Sequence, residues 1–402
     1  MTNRPSIPVP DSNASIGRRG PRTPRWGLAV MTLVAAAAAL STPAFGEFDE
    51  SHRFDARSLE VTNLIGKVTI GQAAGDEFEV DVSVRGADGV RRNIDIEQER
   101  GSRARLDVVF PVDDERRFVY PEFSRRRAQL WFREGRSSSL LGEILRAVSG
   151  RRVRVERSGR GMEVWADLVI RVPEGASLTL EHGAGDVQIE TLAADLDLDV
   201  KAGAMEATGL DGRIELRVGS GGLAVRDVRG RLDLDTGSGS ASLDRFEGSA
   251  LSIDTGSGPV AVTEVAAEAI DIDTGSGGVT VDGLEAERLS IDTGSGSVRV
   301  ESAGADAAEI DTGSGRVHLA LERMGDGRFE IGTGSGGIVM LVPEDLSARF
   351  DIDIGSGGID VDVPIAKTLH KSRGEMRFIA GDGDASVILD TGSGSVRVAN
   401  VN

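Results

Sequence analysis

The sequence predicts an all-β fold, a single-stranded parallel β-helix (solenoid) of about ten or more coils, with a partly helical, arginine-rich insertion near the N-terminus. Three observations predict it. A Gly-Ser-Gly turn recurs with its second glycine at Gly221, Gly239, Gly258, Gly277, Gly296, Gly315, Gly336, Gly357 and Gly394, with fainter copies at Gly185 and Gly203. Apolar and polar residues alternate on both sides of each turn, as in Leu289-Ser-Ile-Asp-Thr-Gly-Ser-Gly-Ser-Val-Arg-Val300. Aromatics are only 4% of the 402 residues while glycine reaches 53, which suits thin repeated core layers rather than one globular core.

Period-two alternation means one face buried and one solvated. A third apolar corner recurs at Val228, Phe246, Val265 and Leu284. No unit can bury so few residues alone, so successive units must stack. Each coil then rises about 4.8 Å, and ten or eleven give a rod of roughly 50 Å. The glycine step is 18 or 19 residues through most of the array, then 21, then 37, and the last gap is read as two turns with a degenerate one around Gly374 to Ala380.

The copies also act as a substitution series. The Thr of Asp-Thr-Gly becomes Val200, Val218 and Ile354, so that slot faces inward. The Asp becomes Arg217 and Gly332, so that slot faces solvent.

Residues 1–46 read as a signal peptide. Arg18, Arg19, Arg22 and Arg25 precede the apolar run from Gly27 to Leu40, and Ala44 and Gly46 supply small residues for cleavage before Glu47. No later apolar run is long enough to span a bilayer, so no transmembrane span is expected after cleavage. The localisation expected is the periplasm or the cell surface.

Residues 47–175 form an N-terminal β region, and 176–402 the β-helix repeat domain. Leu59 to Ile70 already has the strand–glycine–strand form. The stretch from about 113 to 160 departs from it with thirteen arginines, and Leu140, Leu141, Ile144, Leu145 and Val148 fit a helix face with Ser139 as its cap. Arg125, Arg126, Arg127, Tyr120 and Trp131 are the candidate partner-contact residues, against the plainer reading of a solvated loop.

With these residues in view, the chain resembles the bacterial putative-adhesin family of β-strand-repeat proteins, a domain of unknown function. The phrases that carry the resemblance are Asn63 to Ile70, Leu168 to Gly175, the iterated Thr-Gly-Ser-Gly turns, and Gly381 to Val398. The resemblance covers most of residues 55–400 apart from the arginine-rich insertion. It implies a β-helix and export, and supplies no catalytic residues.

Composition narrows the chemistry. A net charge of −19 disfavours nucleic acid. The absence of cysteine removes disulfides, thiol catalysis and a lipoprotein anchor. Asp-Thr-Gly-Ser is the active-site tetrapeptide of pepsin-like proteases, but a protease needs two such aspartates facing across a cleft. Parallel coils put Asp235, Asp254, Asp273, Asp292, Asp311 and Asp390 along one edge instead. Their mutual repulsion invites cations, or arginines such as Arg299 and Arg397, with plain solvation as the simpler outcome. The histidines His52, His182, His318 and His370 have no metal-ligand spacing, and His182 occupies the inward slot of Val218. No cofactor, metal or catalytic residue is expected. The function expected is a non-enzymatic, exported, adhesin-like structural or binding protein that presents its repetitive surface to a cell-envelope or external partner, an anionic envelope polymer or a second copy among them. The rivals are a polysaccharide-processing β-helix enzyme and a self-assembling envelope scaffold.

Overall fold

The structure, a computed structural model, describes residues 47–131 and 152–401. Among these residues all regular secondary structure is strand, arranged as one long, mostly parallel 25-stranded sheet and a separate four-stranded sheet. The helix expected over residues 139–148 lies outside the described residues.

The regular middle is a β-solenoid. Strands β15 (Met205–Ser220), β16 (Leu223–Thr236), β17 (Ala241–Thr255), β18 (Val260–Thr274), β19 (Val279–Thr293) and β20 (Val298–Thr312) each pair in parallel with the next. Repeat positions face their equivalents: Ile253, Ile272, Ile291 and Ile310 stack inside, as do Phe246, Val265 and Leu284. The change of step from 18 to 19 residues is absorbed between Gly230 and Arg231, where the register shifts past Ser249.

The turn glycines are fixed by close approach. The second glycines stack in one column, and a Cβ on Gly239, Gly277 or Gly296 would lie 1.3, 1.8 or 1.7 Å from the carbonyl oxygen of the glycine one coil earlier. Any side chain there would push two coils apart. The same column identifies Gly66 as the floor for Gly185, because a Cβ on Gly185 would lie 1.7 Å from Gly66 O. The coil formed by β2 (Ser58–Ile65) and β3 (Val68–Gln72) thus sits directly against β12 (Ser177–Ala184) and β13 (Val187–Ala193), in parallel register.

The solenoid does not simply follow the chain at its C-terminal end. Strands β22 (Arg328–Thr333) and β23 (Ile338–Val342) pair with β28 (Ala385–Thr391) and β29 (Val396–Asn400), not with the next coil in sequence. That next coil, β24 (Ala348–Ile354) and β25 (Ile359–Asp362), stacks on the other side of β28 and β29. The last coil in sequence is therefore next to last in space. The expected degenerate turn around 374–380 is instead β27 (Glu375–Ala380), antiparallel to both β24 and β26 (Lys367–Lys371). An antiparallel hairpin ends a parallel stack because it gives the outermost coil's backbone a partner without continuing the helix.

The N-terminal end is closed in the same way. Strand β11 (Trp165–Val172) pairs in parallel with β3 and antiparallel with β4 (Phe78–Arg85), and β4 pairs antiparallel with β1 (Phe48–Phe54). On the other wall, β6 (Arg103–Val109) pairs with β2, and β5 (Asp95–Glu99) pairs antiparallel with β6. The free edges read Phe-Asp-Glu-Ser-His-Arg-Phe, Asp-Ile-Glu-Gln-Glu, Ile-Asp-Val-Asp and Lys-Thr-Leu-His-Lys. Such charge density at an edge opposes strand addition.

Candidate functional site

The inward threonine slot explains the repeat's wording. Thr236, Thr255, Thr274, Thr293, Thr312, Thr333 and Thr391 are buried in one column. Gly296 N–H donates to Thr293 Oγ1 at 3.0 Å, and that hydroxyl donates to Gly277 O at 3.1 Å. The pattern repeats at Thr312 with Gly315 and Gly296, and at Thr391 with Gly394 and Gly336. Coils without threonine in the slot satisfy the turn differently: Gly203 N–H, in the Val200 coil, donates to Ser220 O, and Gly185 N–H, in the His182 coil, to Ala202 O. His182 fills the slot between Asn63 and Val200, fully buried, with Nε2 3.0 Å from Gly66 O. Burial lowers its pKa to about 4, so it is a neutral core group.

The outward aspartates form one ladder. Asp235, Asp254, Asp273, Asp292 and Asp311 are in register and exposed, Gly332 interrupts them, and Asp390 and Asp353 continue the column. They are side by side on one face, so the facing pair of an aspartic protease is not formed. Partial burial, then the charge of Asp254 beside it, raises the pKa of Asp235; Asp273 rises for the same causes, with Asp292 adding to it. Arg299 pairs with Glu301 at 2.8 Å and Arg397 with Asp360 at 3.8 Å, so neither relieves the ladder.

One feature of the coil corners escaped the sequence. Thr191, Asp227, Arg245, Glu264 and Ser302 have positive φ, from 35° to 64°, in the same repeat position as Gly209 and Gly283 at 73° and 72°. Each left-handed non-glycine costs about 1–2 kcal/mol. The bends leave a groove of about 590 Å³ running across several coils, with Val228, Phe246 and Val265 in its wall. Two of its carboxylates face guanidinium groups: Arg245 Nε donates to Asp227 Oδ1 at 2.6 Å, and Arg229 lies 3.8 Å from Glu247. The Arg245 hydrogen bond holds the Asp227 carboxyl below the usual range. A glycosidase acid needs the opposite shift. Phe246, the groove's one ring, is buried and offers no face to a sugar. Two glycines among five unlike residues were the signal available, too sparse to reveal a corner.

The described part of the arginine-rich insertion is a folded sheet in the order β10 (Met162–Glu163), β7 (Arg117–Val119), β9 (Arg152–Glu156), β8 (Arg127–Trp131). Phe118, Ala128, Leu130, Val153 and Val155 are its buried face. A Cβ on Gly183 would come within 3.1 Å of Leu130 Cδ1, so the sheet lies against the turn side of the solenoid's first coils. Ser124 Oγ donates to Asp186 Oδ1 at 2.8 Å, and Arg125 Nη1 to Ser220 O at 2.8 Å. Alternation sends Arg117, Arg127, Arg152 and Arg154 to the opposite face, with Arg117 directly across from Arg154 and Arg127 across from Glu156.

The five expected contact residues separate. Arg125, Arg126 and Arg127 are exposed, the first spanning to the solenoid and the third on the arginine face. Tyr120 is buried, its ring centroid 5.5 Å from that of Trp165, and burial raises its hydroxyl pKa. Trp131 pairs through its backbone with Arg152, and its side chain lies outside the described residues. Arg117, Arg152 and Arg154, scattered along the sequence, were not singled out because only strand register puts them together.

No curated protein matches the chain. Among solved structures, a putative cell adhesion protein from Clostridium sporogenes ATCC 15579 shares 9% identity over 88% of this chain and 100% of its own, with a TM-score of 0.18. A putative adhesin from Bacteroides fragilis NCTC 9343 shares 11% identity over 89% of this chain and 98% of its own, with a TM-score of 0.25. Glycine-cornered coils from the small sheet's last strand to the final turn are also what a family model detects: residues 163–399 match Toastrack DUF4097, and the chain belongs to that family.

Proposed function

We propose that this chain is an exported, non-enzymatic, adhesin-like rod that binds an anionic envelope polymer through the arginine face of its small sheet. The observation that carries this reading is the gathering of Arg117, Arg127, Arg152 and Arg154 on one side of a sheet whose other side is packed on the solenoid. Planar guanidinium groups in register on neighbouring strands suit a polymer with repeated phosphate or carboxylate groups. The basic, then apolar, then small-residue order of residues 1–46 supports export to the periplasm or cell surface, with the β region of 47–175 and the repeat domain of 176–402 following. The Asp227 carboxyl held by Arg245 in the corner groove, the lack of an exposed ring there and the one-sided aspartate ladder support a binding role over polysaccharide cleavage. The charged edges at both ends speak against an end-to-end scaffold.

The test is binding to immobilised lipopolysaccharide at low and high salt. Arg117→Glu with Arg154→Glu should lower affinity at least tenfold while the thermal unfolding midpoint stays put. Unchanged affinity in that double variant refutes the reading. Deleting residues 113–160 is a poorer test, because it removes Phe118 and Leu130 from the shared core.

A further inference from the structure

The hairpin that closes the C-terminal end carries an unusual surface. Only three large apolar residues are markedly exposed among the described residues, and two of them are here: Ile365 at 39% and Leu369 at 43%. Leu369 is the extra residue of a bulge, since Thr368 pairs with Phe378 and His370 with Arg377. A bulge re-aims the side chain it carries, here away from the ladder. Between residues 363 and 374 stand three cations, Lys367, Lys371 and Arg373, and no carboxylate, in a chain of net charge −19. All three are exposed, and none has an ion-pair partner among the described residues. Protection of a free edge accounts for the lysines but not for the two exposed aliphatics beside them.

We propose that this tip, from Val363 to Arg373, docks on an anionic lipid surface. Ile365 and Leu369 enter the boundary between head groups and acyl chains, and Lys367, Lys371 and Arg373 meet lipid phosphates. Apolar anchors beside basic side chains are the combination that holds peripheral proteins on acidic bilayers. The acidic coils, repelled by the same surface, stand away from it. The proposal is independent of the arginine face, which lies on the sheet packed against the first coils.

The test is co-sedimentation with vesicles of phosphatidylglycerol and phosphatidylcholine, against phosphatidylcholine alone. It uses the chain from Glu47 onward, which holds every described strand and the whole described core and lacks the apolar run of residues 27–40. Binding is expected on acidic vesicles only and should weaken as salt rises. Lys367→Glu with Lys371→Glu should lower the partition coefficient by more than about twentyfold, at about fivefold per charge. Leu369→Glu should lower it with the cations intact. Both variants sit on an exposed edge strand, and unchanged thermal midpoints confirm the fold. The tip variants should lose vesicle binding with the arginine face left intact, which separates this proposal from the previous one. Equal binding to neutral vesicles, no binding at all, or retained binding in both tip variants overturns it. So does a tip-dependent dimer in lipid-free solution, which would make a second copy the occupant.

Discussion

At Thr293 a single hydroxyl joins two coils. It accepts the N–H of Gly296 within its own turn and donates to Gly277 O in the coil before. Replacing it with valine keeps the volume and leaves the buried Gly296 N–H without its acceptor, a loss of about 1–3 kcal/mol. Urea unfolding of Thr293→Val should show that loss with an unchanged m-value. His182 presents a different problem in the same slot. The folded chain keeps its ring neutral down to about pH 4, while the unfolded chain protonates near 6.5. Its depressed pKa makes this stability complete above pH 6.5, and it is lost as pH falls toward 4, about 3 kcal/mol in all. His182→Val should therefore flatten the fall in unfolding free energy between pH 7 and 4.5, measured in urea at each pH. That both slots face inward follows from Val200 and Val218 in their sequence equivalents. The hydroxyl's second bond is invisible there, because its acceptor belongs to another coil.

Among the elements, the strands before each turn carry a burden that their alternation makes plain. Every second residue is outward, and the outward residue before Thr is nearly always aspartate, so stacking in register aligns like charges. Partial burial and then the charges of Asp254 and Asp292 raise the pKa of Asp273. The charged form is the costly one, so the penalty is complete above the raised pKa and disappears as the carboxyl protonates at lower pH. Asp273→Asn should raise the thermal midpoint at pH 7 and low salt, and added salt should shrink the gain. The small sheet was harder to read. Five apolar residues at helical spacing draw attention to 140–148, while β7 and β9 are short and separated by more than thirty residues. Tyr120 has the look of an exposed contact because arginines surround it in sequence. It is buried because the sheet folds back and sets its ring beside Trp165.

Over the whole molecule, the order of the coils is the point least open to sequence reasoning. The coil of β28 and β29 is wedged between that of β22 and β23 and that of β24 and β25. In a stack that follows the chain, removing residues 385–402 would shorten the rod by its last coil. Here it opens the parallel edges of β22 and β23 and unseats β24 with its closing hairpin. Such a truncation should self-associate, as read by light scattering, and should lose far more stability than one coil contributes. A monomeric truncation with a mildly lowered midpoint would contradict the observed order.

Residue periodicity was enough to establish the coil, its inward and outward faces, and the glycine corner, because each depends on contacts that repeat with the chain. The family follows from the same repeats. Which coil lies beside which, how the ends are closed, and which arginines share a face depend on partners distant in sequence. Near-identical repeats present near-identical surfaces, so the choice of neighbour rests on the closing strands and hairpin, and only the assembled fold supplies those.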